Sequence, residues 1–396
     1  MTTNKQMVPE LRFKGFTDAW EQRKVSELAD RYDNHRVPIT ASERVAGRTP
    51  YYGANGIQDH VEGFTHDGEF ILVAEDGAND LQNYPVQYVD GKVWVNNHAH
   101  VLQAKEETAD NKFLMNALKH TNIEPYLVGG GRAKLNADVM MKIDFKVPTL
   151  PEQIQIGKFF DNLDHLITLH QRKLELLKRL KQGYLQKLFP QNGENVPELR
   201  FKGYSDAWEK RKLIDQLSLL KDGTHGTHKD GNFAFLLSAK NVIQDSIVFD
   251  DSDRKISEDD FNDIYANYHI KKNDVLLTIV GTIGRVALFP RLTVPVAFQR
   301  SVAILRTKPT LFPYFLALEL QTPTIQSKIK ARANMSAQAG IYLGDLKKVV
   351  ISIPKSEEQI EIAMSLNRLT NLIAATQHKE NLLKKIKQAC LQNMFC

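Results

Sequence analysis

Two long stretches of the chain place apolar residues at the heptad spacing that is typical of paired helices. The first is Pro151–Leu188 and the second lies within Ile353–Phe395. Because a seam that repeats every 3.5 residues favours a coiled coil, we predict two helices, each about 55–60 Å long at about 1.5 Å per residue. The predicted seam positions are Ile156, Phe160, Leu163, Ile167, His170, Leu174, Leu177, Lys181, Tyr184 and Leu188 in the first helix, and Ile362, Leu366, Leu369, Ile373, Thr376, Glu380, Leu383, Lys387, Cys390 and Met394 in the second.

A single apolar stripe does not stabilise a helix of this length in isolation, so each predicted helix needs a partner surface. The simplest arrangement pairs the two helices with each other, and a pseudo-two-fold relation between them makes the pair antiparallel. The alternative is that each helix packs separately on its own globular domain. The basic residues between Arg172 and Lys187 are interpreted as a solvated helix face, with a docking surface for a partner subunit as a further possibility.

Outside these helices, short apolar runs alternate with turn signals such as Asn55-Gly56 and Asp76-Gly77. We predict an α+β fold class with two globular mixed α/β domains, at residues 28–146 and 217–352. The predicted strands are Glu69–Ala74, Val86–Val89, Lys92–Val95, Asn273–Val280, Arg285–Leu288, Val294–Phe298 and Ser301–Leu305, and the predicted short helices are Asn111–Lys119 and Phe312–Gln321.

The chain contains an internal repeat. Val8–Lys24 and Val196–Lys212 are identical at 14 of 17 positions, at an offset of 188 residues. The helical segments that begin at Val147 and Ile353 are related at an offset of 206, so the second copy carries 18 more residues between its constant ends. Constant ends around divergent inserts indicate one scaffold that presents two different binding surfaces. The predicted segments are a lead-in, a variable domain and a helical region, twice over, with boundaries at 1–27, 28–146, 147–195, 196–216, 217–352 and 353–396.

Composition narrows the class of protein. The 396 residues are 42% hydrophobic and 25% charged, as in ordinary globular domains. Cys390 and Cys396 are the only cysteines, so we predict neither a disulfide framework nor a cysteine metal site in the body of the chain. There is no secretory leader pattern and no apolar run of membrane-spanning length, which predicts a cytoplasmic protein with no membrane contact. The net charge of +5 is only a weak indication of a polyanionic partner.

The sequence shows no recognisable catalytic motif. It has no phosphate-binding loop ending in Gly-Lys-Ser/Thr, no Asn/Asp-Pro-Pro-aromatic tetrad and no Gly-x-Ser-x-Gly elbow. The pairs His98/His100 and His225/His228 lack the companion ligands of a zinc site, so we predict no bound metal. Two alternatives stay open: a stand-alone enzyme that cleaves or methylates DNA through an unrecognised motif, and an interaction scaffold with no role in DNA binding.

Several motifs, taken in order, resemble the specificity subunit of type I restriction-modification enzymes. They are Pro50–Gly56 (PYYGANG), Gly68–Asp80 (GEFILVAEDGAND), Asp222–His228 (DGTHGTH), Phe235–Val242 (FLLSAKNV), Asp274–Gly284 (DVLLTIVGTIG) and Gln299–Leu305 (QRSVAIL), together with the Glu-Gln-Ile segments that open both helices. The resemblance covers essentially the whole chain. Gly130–Asn136 (GGRAKLN) is replaced by Asn334–Tyr342 (NMSAQAGIY) in the second insert, which leaves the equivalence of these two loops in question.

The resemblance implies a non-catalytic DNA-binding subunit. Each variable domain would be a target-recognition domain that reads one half of a bipartite, asymmetric site in double-stranded DNA. The constant helices would set the gap between the half-sites and dock two modification (methyltransferase) subunits, which restriction (motor/nuclease) subunits would join. No cofactor is implied for this chain: S-adenosylmethionine, ATP and Mg would belong to the partner subunits, in a holoenzyme that is a deoxyribonuclease and an adenine methyltransferase.

Candidate DNA-binding residues follow from the chemistry of base reading. Arg, Asn and Gln read base edges in the major groove, whereas Lys and Arg also hold phosphates. Each candidate also has a structural interpretation, such as a turn residue for Asn55 or Asn97. The candidates are Tyr51, Asn55, Asn96, Asn97, His98, Arg132, Lys134 and Asn136 in the first domain, and Thr224, His225, His228, Lys229, Lys240, Asn241, Arg285, Gln299, Arg300, Asn334 and Gln338 in the second.

Overall fold

The structure is a computed structural model, and it describes residues 8–130, 133–191, 193–334 and 339–395. These residues form two compact units. The first unit contains the described residues up to Arg172 and those from Gln377 onward, and the second contains the residues from Lys173 to Thr376. Each unit therefore combines one variable domain with parts of both long helices.

The two long helices are present as predicted. The central helix is Leu150–Lys187 and the C-terminal helix is Ser356–Met394. Pro151 lies in the first turn of the central helix, where the missing amide hydrogen removes no intrahelical hydrogen bond. The shorter helices are Val25–Leu28, Asn111–His120, Ala137–Met140, Glu258–Ile264, Pro313–Gln321, Pro323–Lys330 and Leu343–Leu346. Among the described helices, none is both long and apolar enough to cross a membrane.

All seven predicted strands coincide with observed strands to within a few residues, and further strands accompany them. The strands of the first unit are Glu21–Lys24, Ala29–Arg31, Ala46–Gly53, Gly56–Val61, His66–Asp67, Phe70–Ala74, Val86–Val89, Lys92–Val95, Ala99–Ala104, Leu127–Val128, Lys134–Leu135 and Asp144–Val147. The strands of the second unit are Glu209–Lys212, Leu217–Asp222, Asp230–Leu237, Val242–Ile243, Ser246–Ile247, Lys255–Ile256, Val275–Thr278, Val286–Leu288, Val296–Phe298, Val302–Thr307 and Val350–Ile353.

The two variable domains share one sheet arrangement. A four-stranded antiparallel sheet occurs in both, in the order 29–31, 99–104, 70–74, 86–89 in the first domain and 217–222, 302–307, 275–278, 286–288 in the second. A second sheet contains a parallel pair in each domain: Tyr51 and Tyr52 lie opposite Trp94 and Val95, and Phe235–Leu237 lies opposite Val296–Phe298. Because matching strands follow in the same order, the variable domains are two α+β versions of one fold.

A short ribbon closes each variable domain at its base. The lead-in strand Glu21–Lys24 pairs antiparallel with Asp144–Val147, directly before the central helix. In the second unit Glu209–Lys212 pairs in the same way with Val350–Ile353, directly before the C-terminal helix. The chain therefore enters and leaves each variable domain at hydrogen-bonded neighbours.

Each unit is completed by the end of a helix that belongs to the other repeat. In the first unit Phe395, from the C-terminus, stacks on Phe113 at 5.6 Å between ring centroids and meets the edge of Trp20 at 6.3 Å. In the second unit Phe189 takes the same place, with its ring 5.8 Å from Trp208 and 5.3 Å from Phe315. The amide of Leu11 donates to Asn393 O at 2.9 Å, and that of Leu199 donates to Lys187 O at 2.8 Å.

The Glu-Gln-Ile motif anchors the lead-in segment to the start of each long helix. Arg12 forms two hydrogen bonds of 2.7 Å with the buried carboxylate of Glu152, and Arg200 forms the same pair with Glu358 at 2.7 and 2.8 Å. The glutamine that follows binds the loop before a short helix: Gln153 accepts from Asp110 N at 3.2 Å and donates to Thr108 O at 3.1 Å. Gln359 makes the equivalent bonds with Phe312 N and Thr310 O.

Within each unit the two long helices run antiparallel. In the first unit Lys387 Nζ binds both carboxylate oxygens of Asp164, at 2.5 and 2.7 Å, and the Phe395 ring lies 6.0 Å from that of Phe160. Residue numbers thus fall along one helix as they rise along the other. In the second unit Leu185 and Leu366 belong to one apolar core. The alternative of separately packed helices is excluded.

Charged side chains at the predicted seam have partners. Lys181 pairs with Asp245 of the second variable domain, and Glu380 pairs with Lys384 at 2.6 Å. Tyr184 is exposed and Leu185 is buried in its place, so the predicted seam is wrong at this position. The shift has a simple cause, since an α-helix of 3.6 residues per turn drifts away from a strict 3.5-residue repeat.

One buried carboxyl makes the second unit sensitive to pH. Glu319 lies in the helix Pro313–Gln321, and burial raises its pKa to about 8 even though it accepts a hydrogen bond from Ser352 N. The native state therefore keeps a proton that the unfolded chain releases above its ordinary pKa of 4.5, and stability falls by about 1.4 kcal/mol per pH unit between these values. We expect Glu319→Gln to abolish this fall. Urea unfolding of the wild type and the variant at pH 4, 6 and 8 measures the free energy of unfolding at each pH. The same pH dependence in both proteins would contradict a raised pKa for Glu319.

Candidate nucleic-acid interface

Loops at one end of the first variable domain bring several predicted DNA-binding residues together. Asn55 lies in a turn, where its amide donates to Gly77 O at 2.9 Å and its oxygen accepts from Asn79 N at 2.9 Å. His98 follows the strand Lys92–Val95, and its Nδ1 lies 2.6 Å from Asp76 Oδ1. Asn97 is exposed beside it. Asn55 thus has the turn role that the sequence also allowed, while it joins two loops of the cluster.

Glu75 is the electrostatic centre of this cluster. Its carboxylate binds Arg36 Nη1 at 2.6 Å and Lys134 Nζ at 2.9 Å. Burial raises the pKa of Glu75, but hydrogen bonds from Lys134 and Arg36 and the charge of His100 outweigh it, so the pKa lies below its ordinary value. In return, the hydrogen bond to Glu75 raises the pKa of Lys134. The predicted candidate Lys134 is therefore a fixed, fully charged cation at the surface.

A second carboxylate supports the same loop from below. Asp33 Oδ2 lies 2.7 Å from His100 Nδ1, and His100 Nε2 lies 2.8 Å from Leu135 O, next to Lys134. Burial raises the pKa of Asp33, but this effect is outweighed by interactions that lower the pKa, chiefly the hydrogen bond and the charge of His100. The pKa of Asp33 therefore lies below its ordinary value. Among the described residues, Asp33, Glu75 and His100 are close enough to share a metal ion. Arg36 and Lys134 already supply positive charge there, so the geometry is that of an ion-pair network.

In the second variable domain the predicted residues gather around the loop Asp222–His228. Arg300 N donates to Thr224 O at 3.0 Å, and Thr224 Oγ1 lies 2.9 Å from His228 Nε2. His225 Nε2 lies 2.8 Å from Asp222 Oδ2. Gln299 forms an isolated bridge with Thr224. The backbone of Lys229 is held by the carboxylate of Asp260.

Other candidates lie apart from these clusters or inside the fold. Lys240 is paired with Asp253 at 2.7 Å, and Arg285 donates its backbone amide to Thr278 Oγ1 at 2.9 Å. Three candidates are buried with their polar atoms used by the protein: Tyr51 donates to Ile39 O, Asn96 accepts from His98 N, and Asn241 binds Ser238 N, Val248 O and Asp253. Direct contact with DNA is therefore proposed only for the accessible candidates. Arg132 and Gln338 lie outside the described residues.

Backbone hydrogen bonds relate the described C-terminal ends of the two loops whose equivalence the sequence left in question. Leu135 N donates to Glu75 O at 2.7 Å, and Ile341 N donates to Ile279 O at 2.9 Å. Isolated bridges join Asp76 to Lys134 and Val280 to Gly340. Lys134 and Leu135 therefore occupy the same place in the first domain as Gly340 and Ile341 in the second. Asn136 is exposed at the start of a short helix, and Asn334 is exposed and bonded to Gly340 at the other end of its loop.

The sequence-based candidates omit the acidic residues of the first cluster. Glu75 and Asp76 follow directly on the buried strand Phe70–Ala74, which is a signal that could have indicated them. Asp33 gives no such signal, because its contact with His100 joins residues that are 67 positions apart.

Comparison with known proteins agrees with the resemblance noted in the sequence. The family model described as "Type I restriction modification DNA specificity domain" matches residues 17–179 and 227–385. A putative type I restriction enzyme specificity subunit of Haemophilus influenzae is 33% identical over 370 residues, covering 89% of this chain and 88% of that protein. The EcoBI specificity subunit of Escherichia coli is 24% identical, covering 87% and 75%. A crystal structure of a type I restriction-modification S subunit from M. genitalium has a TM-score of 0.72 at 15% identity, over 98% and 99%.

Two versions of one loop-bearing domain on a repeated helical frame define a tandem recognition protein. The chain belongs to the family of type I restriction-modification specificity subunits.

Proposed function

We propose that this chain is the non-catalytic subunit that gives a type I restriction-modification complex its DNA sequence specificity, acting in the cytoplasm. Each variable domain reads one half of a bipartite, asymmetric site in double-stranded DNA. The proposal is supported by the two loop clusters, which lie at equivalent places in the two domains and carry different side chains. Loops that lie at the same place in both domains but carry different side chains are suited to reading two half-sites of different sequence.

The observation that carries the partner assignment is a duplicated set of exposed apolar side chains on the long helices, three in each unit, which we call the apolar patches. Three side chains of the first unit are exposed: Leu166, Leu382 and Ile386. Their counterparts in the other repeat, at the offset of 206 residues, are Leu372, Leu176 and Leu180 in the second unit, and these are exposed as well. Aliphatic side chains on constant helices gain free energy when a partner covers them. One patch in each unit suits two copies of one partner, which we take to be two modification (methyltransferase) subunits, with restriction subunits joining that assembly.

The proposed division of labour leaves the chemistry to the partners. S-adenosylmethionine, ATP and Mg are used by the modification and restriction subunits, and this chain contributes recognition and geometry. The alternative of a stand-alone nuclease or methyltransferase has no support from the carboxylates of the first cluster, because Asp33, Glu75 and Asp76 are all held by arginine, lysine or histidine partners.

Co-expression with a type I modification subunit tests the proposal. We expect the wild-type complex to contain two modification subunits by native mass spectrometry and to methylate one bipartite, asymmetric motif in genomic DNA. Leu166→Asp/Leu382→Asp should reduce the complex to one modification subunit, and so should Leu372→Asp/Leu176→Asp, because a carboxylate in a buried apolar contact is strongly unfavourable. All four substitutions together should abolish assembly.

The matched control is Gln182→Asp/Gln388→Asp, which places carboxylates at exposed, equivalent positions outside the patches and should leave two subunits bound. Retention of both partners by the fourfold variant would contradict the docking assignment. Turnover of DNA by the purified chain alone, in the presence of Mg and S-adenosylmethionine, would contradict the proposed function itself.

A further inference from the structure

The equivalent loop positions of the two variable domains carry opposite chemistry. In the first domain Glu75 and Asp76 pair with Lys134 and His98, so charges fill the space between the loops. Glu75 N donates to His98 O and Ile279 N to Ser301 O, both at 2.9 Å, which places Ile279 and Ser301 at the positions of Glu75 and His98. The bridges described above place Val280 and Gly340 at those of Asp76 and Lys134. None of the four replacements carries a charge.

A cleft of about 230 Å³ lies at this place in the second domain. Ile279 and Ile341 are buried at its apolar floor, and His225, Arg300 and Tyr342 line it. Tyr342 takes the position of Asn136 and is 70% exposed, the highest value among the large apolar side chains of the described residues. The Arg300 side chain is exposed and forms no ion pair or hydrogen bond with any residue in the described part of the chain. Arg306, by contrast, is tied to Asp274 by two bonds.

From this geometry we infer that Arg300 and Tyr342 form the base-reading pair of the second domain, with Arg300 donating to O6 and N7 of a guanine in the major groove. The inference rests on the proposed function and adds the chemical identity of one base in its half-site. An unpaired guanidinium presents a planar fork that matches guanine, which offers two acceptors on its major-groove edge. Asp222, the acid at the cleft, is held by His225 at 2.8 Å.

Tyr342 and the apolar floor add a second feature. The aromatic face and the isoleucine side chains have no hydrogen-bond donor to offer, apart from the tyrosine hydroxyl, so they suit the C5-methyl group of a thymine beside the guanine. Among the described residues of the first domain, paired charges occupy the same place and no such apolar wall is present. The two half-sites therefore differ in kind: the second contains a guanine next to a thymine, read by a cation and an apolar surface.

Methylation mapping of the complete complex in a host without restriction activity tests the pair. We expect Arg300→Ala to lose discrimination at one position of the second half-site, by about 5- to 150-fold, and to leave the first half-site unchanged. Arg300→Gln, which suits adenine, should shift the preference at that same position. Tyr342→Ala should weaken discrimination at the neighbouring position. Arg291→Ala removes another exposed arginine of this domain, outside the cleft, and should leave the motif intact.

Each outcome has a defined meaning. An unchanged motif in Arg300→Ala would overturn the inference, and so would a uniform loss of methylation at all sites with a smaller salt dependence, which is the signature of a phosphate contact. Assembly of the variant complexes by native mass spectrometry excludes misfolding as the cause. A wild-type complex that methylates no bipartite motif would contradict the proposed function. An intact wild-type motif that the variants leave unchanged would contradict only the assignment of Arg300 and Tyr342 as base readers.

Discussion

Replacing Phe395 by alanine is expected to destabilise the first unit by about 3–5 kcal/mol, the usual cost of truncating a buried phenylalanine. The ring is 7% exposed and contacts Phe113, Trp20 and Phe160, three side chains that are themselves almost fully buried. Neighbouring groups from three separate segments cannot all collapse into the resulting cavity, so the cost should lie at the upper part of this range.

Hydrogen exchange measured by mass spectrometry locates the effect. Peptides that cover residues 17–24 and 111–120 should exchange faster in Phe395→Ala, and peptides that cover 205–212 and 313–321 should not. In the second unit the ring of Phe189 lies against Trp208 and Phe315. The matched variant Phe189→Ala should therefore produce the reverse pattern. A change spread evenly over both units would show that the helix ends are not specific to the unit they complete.

Replacing Arg12 by methionine should cost a similar amount, about 3–5 kcal/mol, for an electrostatic reason. Glu152 is fully buried and Arg12 is its bidentate partner, so the single variant leaves a carboxylate without a counter-charge inside the fold. The double variant Arg12→Met/Glu152→Met should recover most of the loss, because two apolar side chains of similar length can fill the space without a desolvated charge.

Chemical unfolding of the four proteins in this cycle measures the coupling between the two side chains. Arg200→Met and Glu358→Met provide the matched cycle in the second unit, where the same two bonds occur. A double variant as unstable as Arg12→Met alone would mean that packing of the guanidinium, and not its charge, holds the lead-in segment.

Local patterns predict the frame of this protein well. Heptad periodicity located both long helices because helix periodicity is written in neighbouring residues, and buried strands such as Phe70–Ala74 stood out as short apolar runs. Ala46–Gly53 and Asp230–Leu237 escaped prediction because three of the first four residues of each strand are exposed. Their strand character comes from pairing with segments distant in sequence, which no local pattern contains.

The candidate site is harder to predict for the same reason. Residue type suggested Asn96 and Asn241 as base readers, but tertiary packing buries both and uses their amides to brace loops. Tyr51 is a sequence-based candidate and Tyr342 is not, yet the fold buries Tyr51 and exposes Tyr342. The ion pairs around Glu75 likewise depend on which loops the sheet brings together.

The short ribbon at the base of each variable domain has a consequence for how such chains diversify. Each variable domain, between Lys24 and Asp144 or between Lys212 and Val350, is joined to the rest of the chain through a ribbon of two strands with four paired residues each. Recombination within the constant segments could therefore exchange one whole domain for another, of different length, without disturbing the frame. The 18 extra residues of the second copy show that the frame tolerates such a change. New specificity then needs no gradual redesign, because it can arrive in a single genetic event.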